Sequence, residues 1–169
     1  METDFYLIQS TQGFGYIGIR QNRLCRVYIP VVTKREVLEI TKGKALLDPE
    51  SHPLAQKVAD LIDRYFKGED PDFSQIPLNL DCRTQFQKAT YSQLQKVPFG
   101  KTTTYGNLAK AVNSPKGARA VGLAMSKNPV PIVVPCHRVL SSTSAMTGFT
   151  APGGISTKEW LLDHEVRHG

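Results

Sequence analysis

The 169-residue chain predicts an α/β domain over residues 1–80 followed by a mainly α domain over residues 81–169. Three features of its order carry that prediction. Short apolar segments separated by turn residues open the chain and lead into one strongly amphipathic helical pattern. A polar stretch containing two prolines then interrupts the periodicity. Beyond it, most of the periodic segments are helical. The length suits one large domain or two small ones.

In the first half, Phe5-Tyr6-Leu7-Ile8 reads as a strand closed by the turn residues Thr11-Gln12-Gly13. Phe14 to Ile19 and Leu24 to Ile29 follow as further strands, with Gln21-Asn22 as the hairpin turn between them. A short helix is expected around Lys34–Ile40, and a polar loop after it. From Pro53 to Lys67, the residues Leu54, Val58, Leu61, Ile62 and Tyr65 recur with the helical period. Pro53 sits in the first turn of that helix and Gly68 is placed to end it. The result is a small antiparallel sheet plus helices. Gly68 to Asp81, acidic and carrying Pro71 and Pro77, reads as a linker.

In the second half, Thr84-Gln85-Phe86-Gln87 has the form of a capping box, opening a helix with Phe86, Thr90, Leu94 and Val97 on one face. Pro98-Phe99-Gly100 breaks it. Tyr105, Leu108, Ala109 and Val112 mark a second short helix, and a third is expected from about Pro115 to Lys127. The apolar run Ile132-Val133-Val134 reads as a buried strand. A glycine-rich loop, Gly148 to Gly154, precedes a last helix with a capping box at Ser156-Thr157-Lys158-Glu159 and an apolar face of Trp160, Leu161 and Leu162. Glu165 falls near the end of that helix, where the helix dipole disfavours a carboxylate, so a partner such as an imidazole would offset the cost.

Charge divides the two halves. Residues 1–81 hold 10 basic and 12 acidic side chains, whereas residues 82–169 hold 11 basic and 3 acidic. From Cys82 through Lys158 there is no Asp or Glu at all, while ten Lys and Arg fall there. A surface of one sign over 77 residues favours a polyanionic partner, and nucleic acid is the obvious one. The composition also excludes several classes. No apolar run approaches the roughly 18 residues that span a bilayer, and Met1-Glu2-Thr3-Asp4 has no signal-peptide character. An intracellular, soluble protein without a membrane partner is expected. Cys25, Cys82 and Cys136 are an odd count without CxxC spacing, which argues against a disulfide framework or a zinc knuckle.

The two short helices of the basic segment form a helix-turn-helix candidate. The second is unusual for a reader of bases: it offers Gly117, Ala118, Ala120, Gly122 and Ala124, with Arg119 and flanking lysines as its long polar groups. Small side chains allow close backbone approach to a groove but carry little hydrogen-bond information. Such a pair is also compatible with two ordinary packed helices. Beyond it, Pro135-Cys136-His137-Arg138-Val139 sets a thiol beside an imidazole. Cysteine is a nucleophile as thiolate, and a neighbouring imidazole lowers its pKa. Side chains adjacent on an extended strand point to opposite faces, so Cys136 and His137 cooperate only if the chain turns or a water relays the proton. The bare dipeptide is equally compatible with a structural cysteine beside a chance histidine.

The segment from Asn128 through Val139 (NPVPIVVPCHRV) resembles the active-site signature of the O6-alkylguanine-DNA alkyltransferases, the methylated-DNA–protein-cysteine methyltransferases. Val97-Pro98-Phe99-Gly100 with Thr104-Tyr105, the Ala118–Gly122 segment (ARAVG), and the stretch from Lys158 to Glu165 (KEWLLDHE) match that family in order. The strong match covers roughly residues 86–165.

The resemblance implies a ribonuclease-H-like N-terminal scaffold and a C-terminal helix-turn-helix alkyltransferase domain. Its activity would be stoichiometric, irreversible transfer of an alkyl group from O6 of guanine in duplex DNA to Cys136. His137 would draw the thiol proton through a water and Glu165 would orient the imidazole. Asn128 would bond the turn presenting the cysteine, and Tyr105 would donate to the flipped guanine at N3. Arg119 would enter the stack, because the O6 carbon is sheltered in the duplex and the base must leave it. Gly117, Ala118, Ala120, Gly122, Thr104 and Ser142 would lie at the DNA. Pro131, Val139, Phe149, Pro152 and Gly153 would line the pocket, and the Cys136 and Val139 carbonyls would accept from the guanine amino group.

No cofactor is implied, and the zinc site of some relatives does not carry over, because the N-terminal half lacks its Cys/His set. A monomer in the cytoplasm, or the nucleus of a eukaryote, is expected. One departure stands out. The loop Gly148-Phe149-Thr150-Ala151-Pro152-Gly153-Gly154 is two residues longer than the family's, with Phe for Tyr, and it puts Pro152, which has no N–H, at the position that donates to the guanine oxygen. Three other readings fit the residues less well. A non-catalytic lesion-binding relative would lack Cys136. A helix-turn-helix regulator would carry more long polar residues on its second helix. A cysteine hydrolase would leave the carboxylate-free stretch unexplained.

Overall fold

A computed structural model describes residues 2–146 and 148–169, and the chain divides into two compact units between Asn79 and Leu80. In the first unit, β1 (Asp4–Ser10), β2 (Gly13–Arg20) and β3 (Arg23–Val32) form an antiparallel meander. Gln21 and Asn22 both take positive φ, 53° and 54°, the geometry of a two-residue turn whose twist matches the strands it joins. Tyr6 and Ile8 of β1 alternate inward with Ile17 and Ile19 of β2. They form a core with Ala55, Val58, Ile62, Tyr65 and Phe66 of α2 (Pro53–Phe66). Helix α1 (Lys34–Ile40) begins at a complete capping box, with Thr33 and Glu36 bonded reciprocally.

Two features of this unit depart from expectation. The loop after α1 contains a short strand, β4 (Leu46–Leu47), which pairs parallel with β1, so the sheet order is β3-β2-β1-β4. Two residues are too few to show a period, and this is why the strand escapes sequence analysis. The expected linker is also partly structured. Leu24 donates to the Pro77 carbonyl at 2.8 Å and accepts from Asn79 N–H at 2.8 Å, while Ile76 is buried.

The second unit is mainly helical. Helix α3 (Gln85–Leu94) starts at the Thr84/Gln87 capping box, with both bonds present. Its buried face is Gln87, Thr90, Tyr91 and Leu94, which includes Thr90 and Leu94 of the expected stripe, whereas Phe86 is half-buried and Val97 lies beyond the end of the helix. Strand β5 (Thr103–Thr104) leads directly into α4 (Tyr105–Ala111), and a turn connects α4 to α5 (Ala118–Ser126). Helix α5 opens three residues later than expected. Gly117 N–H bonds back to Ser114 O at 2.7 Å, so Pro115 belongs to the turn and not to the first helical turn.

The apolar run 132–134 is buried but is not a strand. Pro131 and Pro135 cannot donate to a sheet ladder, Ile132 takes φ 73°, and Val134 N–H bonds to Val130 O. The chain coils here and continues into a 3-10 turn, Cys136–Arg138. Strand β6 (Val139–Leu140) then pairs parallel with β5, placing Thr103 beside Val139 and Thr104 beside Leu140.

Helix α6 (Gly154–His168) starts before the expected capping box. Gly153, with φ 80°, is its N-cap, and Thr157 Oγ1 donates to Pro152 O at 2.6 Å, so Ser156 lies inside the helix. Its buried residues are Lys158, Leu161, His164 and Glu165, whereas Trp160 and Leu162 are half-buried. The inner face is therefore charged above and below one leucine. Among the described residues no helix is long and apolar enough to cross a membrane.

Candidate active site

The site is assembled from the coil ending in Cys136 and the inner face of α6. Asn128, just past the end of α5, spans the coil: its Nδ2 donates to Val134 O at 2.7 Å and its Oδ1 accepts from Val130 N–H at 3.1 Å. The 3-10 turn that follows carries Cys136, 8% exposed, and His137, which is fully buried. His137 Nε2 lies 2.6 Å from Glu165 Oε1. The tautomer that donates Nε2–H to this carboxylate leaves the basic lone pair on Nδ1.

Glu165 has further partners. Arg138 Nε donates to Oε2 at 2.9 Å and Nη2 to Oε1 at 2.9 Å, while Gly100 N–H donates to Oε2 at 3.0 Å. Arg138 Nη1 also donates to Val97 O at 2.7 Å. Gly100 takes φ 69°, a conformation open to glycine, so the Pro98-Phe99-Gly100 break after α3 also supplies a donor to the site. Opposite it, Lys158 Nζ donates to Val139 O at 2.7 Å. Tyr91 OH, fully buried in α3, donates to Ala124 O of α5 at 2.8 Å.

The environment shifts each titrating group. Burial pushes the Cys136 thiol up, opposed by a hydrogen bond from the Asn128 side chain and the charge of Lys158. Burial holds His137 below the ordinary imidazole range, although its bond to Glu165 pulls the other way. Burial alone would raise Glu165, but the bonds and charges of His137 and Arg138 outweigh it and hold the carboxyl down at about 2. Burial also lowers Lys158. The resting site is thus a protonated thiol, a neutral imidazole and an ionised carboxylate.

The remaining candidates lie on three other segments. Thr104 N-caps α4, its hydroxyl accepting from Asn107 N–H at 3.1 Å, and the half-buried Tyr105 begins that helix. On α5, Arg119 and Ala120 are exposed, Ala118 is half-buried and Gly117 is the N-cap. A Cβ built on Gly122 would come to 3.9 Å from the Tyr105 ring, so these two candidates face one another. Ser142 is exposed beyond β6, and Pro131 and Val139 are buried around the coil. Phe149 and Pro152 are half-buried and Gly153 exposed in the loop before α6, where Gly154 N–H donates to Ala151 O, Thr157 Oγ1 to Pro152 O, and Thr150 Oγ1 to Ser126 O at 3.3 Å. Among the described residues no group of three or more His, Cys, Asp or Glu is placed to hold a metal ion.

Arg138, Lys158 and Gly100 went unassigned in the sequence. One signal pointed to the first two: Lys158, Leu161 and Glu165 share a helix face at i, i+3 and i+7, and in a segment so poor in carboxylates a buried cation has few partners to choose from.

Residues 85–167 match the family model described as 6-O-methylguanine DNA methyltransferase, DNA binding domain. A methylated-DNA–protein-cysteine methyltransferase of Mycolicibacterium paratuberculosis is 38% identical over 141 residues, 82% of each chain. This chain belongs to the methylated-DNA–protein-cysteine methyltransferase family. A Haemophilus influenzae member is 44% identical over 113 residues, which is 67% of this chain and 62% of that protein. The crystal structure of the Mycobacterium tuberculosis member in complex with DNA superposes with a TM-score of 0.76 at 31% identity, covering 98% of this chain and 94% of the other. The methyltransferase likeness therefore extends to the N-terminal unit in structure and, through the 141-residue alignment, in sequence, although the family model begins only at residue 85.

Proposed function

We infer that the protein repairs DNA by moving an alkyl group from O6 of guanine in duplex DNA onto Cys136 Sγ, once per molecule. The observation that carries this reading is the buried Cys136 thiol beside a His137–Glu165 pair closed at 2.6 Å, in a unit whose helices present cations. The S–C bond forms as the C–O6 bond breaks. The thiol proton passes through a water to His137, and the guanine leaves as its anion, which takes a proton at N1 from water to become ordinary guanine. A thioether has no easy route back to thiolate, so the protein is consumed.

In this reading α4 and α5 are the helix-turn-helix, and α5 lies in the minor groove. Its small residues Gly117, Ala118, Ala120 and Gly122 allow close approach, and Thr104 and Ser142 flank the backbone. Arg119, exposed on the outer face, fills the gap left by the flipped base while Tyr105 donates to the base itself. Pro131, Val139, Phe149, Pro152 and Gly153 enclose the guanine. Val139 O, which already accepts from Lys158, has a second lone pair for the guanine amino group. The N-terminal unit is a ribonuclease-H-like scaffold, and the protein works as a cytoplasmic or nuclear monomer without cofactor.

The test is duplex DNA carrying a single O6-methylguanine, followed by peptide mass spectrometry. One methyl per protein on Cys136 is expected, with none in Cys136→Ala. Arg119→Ala should transfer more slowly from duplex but react normally with the free base O6-benzylguanine. An unmodified Cys136 with DNA affinity retained would overturn the transferase reading.

A further inference from the structure

The carboxylate of Glu165 is saturated. Two oxygens offer about four lone-pair positions. Oε1 takes His137 Nε2 at 2.6 Å and Arg138 Nη2 at 2.9 Å, while Oε2 takes Arg138 Nε at 2.9 Å and Gly100 N–H at 3.0 Å. A proton can settle on this group only by displacing one of those donors. Arg138 supplies two of the four in a fork, and its third nitrogen is tied to Val97 O, so it cannot swing aside without breaking that bond as well.

We propose that Arg138 is a positioning residue that confines Glu165 to orienting His137 and prevents it from taking the proton that leaves Cys136. The inference rests on the transfer chemistry given above. The thiol proton then stops on the imidazole. It arrives at Nδ1, Nε2–H stays bonded to the carboxylate, and His137 carries the positive charge until water removes it. The charged groups facing His137 are Glu165 and Lys158 of α6 and Arg138 of its own turn. Arg138 is thus both the counter-ion of Glu165 and a repulsive neighbour of the imidazole. That repulsion favours the neutral ring that the first proton transfer needs.

Two measurements on the full-length protein test this. The first follows the Glu165 carboxyl carbon by NMR in 13C-glutamate-labelled protein, assigned with Glu165→Gln. The resonance should stay constant from pH 9 to about 4, whereas in Arg138→Gln its titration should enter that window. The second is the pH profile of single-turnover methyl transfer. Without Arg138 the imidazole protonates at higher pH, so the acid limb should move up by about one pH unit, with the rate well down that limb reduced by up to about 10-fold and far less at pH 8. Arg138→Lys retains a charge but not the fork, and should move the limb in the same direction by less. It decides the matter if Arg138→Gln does not fold. A purely structural role would lower stability and leave the profile in place. Titration of wild-type Glu165 above pH 5, or variants with an unmoved acid limb, would overturn the proposal. If wild-type protein transfers no methyl group, the transfer reading fails, while the carboxyl titration still reports on Arg138.

Discussion

Replacing Asn128 by alanine should damage both stability and chemistry, and the size of each effect follows from two hydrogen bonds. Val134 O would lose the 2.7 Å bond from Asn128 Nδ2 but keep the 2.8 Å bond from Cys136 N–H, so that loss is worth about 1 kcal/mol. Val130 N–H, in a fully buried residue, would lose its bond to Oδ1 and be left in an apolar surround, at a cost of about 1–3 kcal/mol. The sum is about 2–4 kcal/mol. The coil is also held at Ile132 in a left-handed conformation that a β-branched residue disfavours by about 1–2 kcal/mol, so weakening the clamp should let it relax. With an m-value of about 1.5 kcal/mol/M, the urea midpoint of the transition should fall by about 2 M. Because Asn128 also lowers the Cys136 thiol by hydrogen bonding, methyl transfer should slow at neutral pH even where the variant is fully folded. Asn128→Asp separates the two bonds: it keeps an acceptor for Val130 N–H but sets a negative oxygen against Val134 O, and should rescue neither stability nor rate. A loss below about 0.5 kcal/mol with an undiminished transfer rate would refute the idea that this side chain holds the thiol in place.

Other outcomes follow from the same geometry. Stability should decline in two steps as pH falls. His137 is held below its unfolded value of about 6.5, so its contribution is complete above that pH and is lost below it; Glu165, near 2 when folded against about 4.3 unfolded, adds a second loss between those values. Urea midpoints from pH 8 to pH 3 would check this, and a midpoint that rises from pH 7 to pH 5 would contradict it. Gly153→Ala should weaken the start of α6, because Gly153 sits at φ 80° and a Cβ there would collide with Thr157 Oγ1. A lower melting temperature with a partly retained transfer rate is expected, and an unchanged melting temperature would count against the N-cap assignment.

What the sequence disclosed depended on whether the signal was local. Thr84 and Gln87 lie three residues apart and cap α3 as their spacing predicts, and Gln21-Asn22 makes the turn its residue types favour. The partnership of His137 and Glu165 was legible too, because so few carboxylates exist beyond residue 81 and one of them occupies an unfavourable place on its helix. The coil at 130–136 is not legible in the sequence, because the side chains at 132–134 are those of a buried strand. Its path is decided instead by what its backbone lacks, namely N–H groups at Pro131 and Pro135, and by a clamp from Asn128. In α6, polar spacing at Ser156 mimicked a cap that Gly153 provides by backbone conformation. Arg138 and Lys158 bond to groups brought near by tertiary folding, and no short window contains both ends of such a bond.

The separation of His137 from Glu165 by 28 residues has a temporal side. Until α6 docks, the histidine has no carboxylate and Val139 no ammonium. A nascent or partly folded molecule therefore holds an ordinary thiol, with ordinary sluggishness toward alkylating compounds in its surroundings. Reactivity arrives with completion of the fold, so a reagent that can act only once is guarded from being spent while it is still being made.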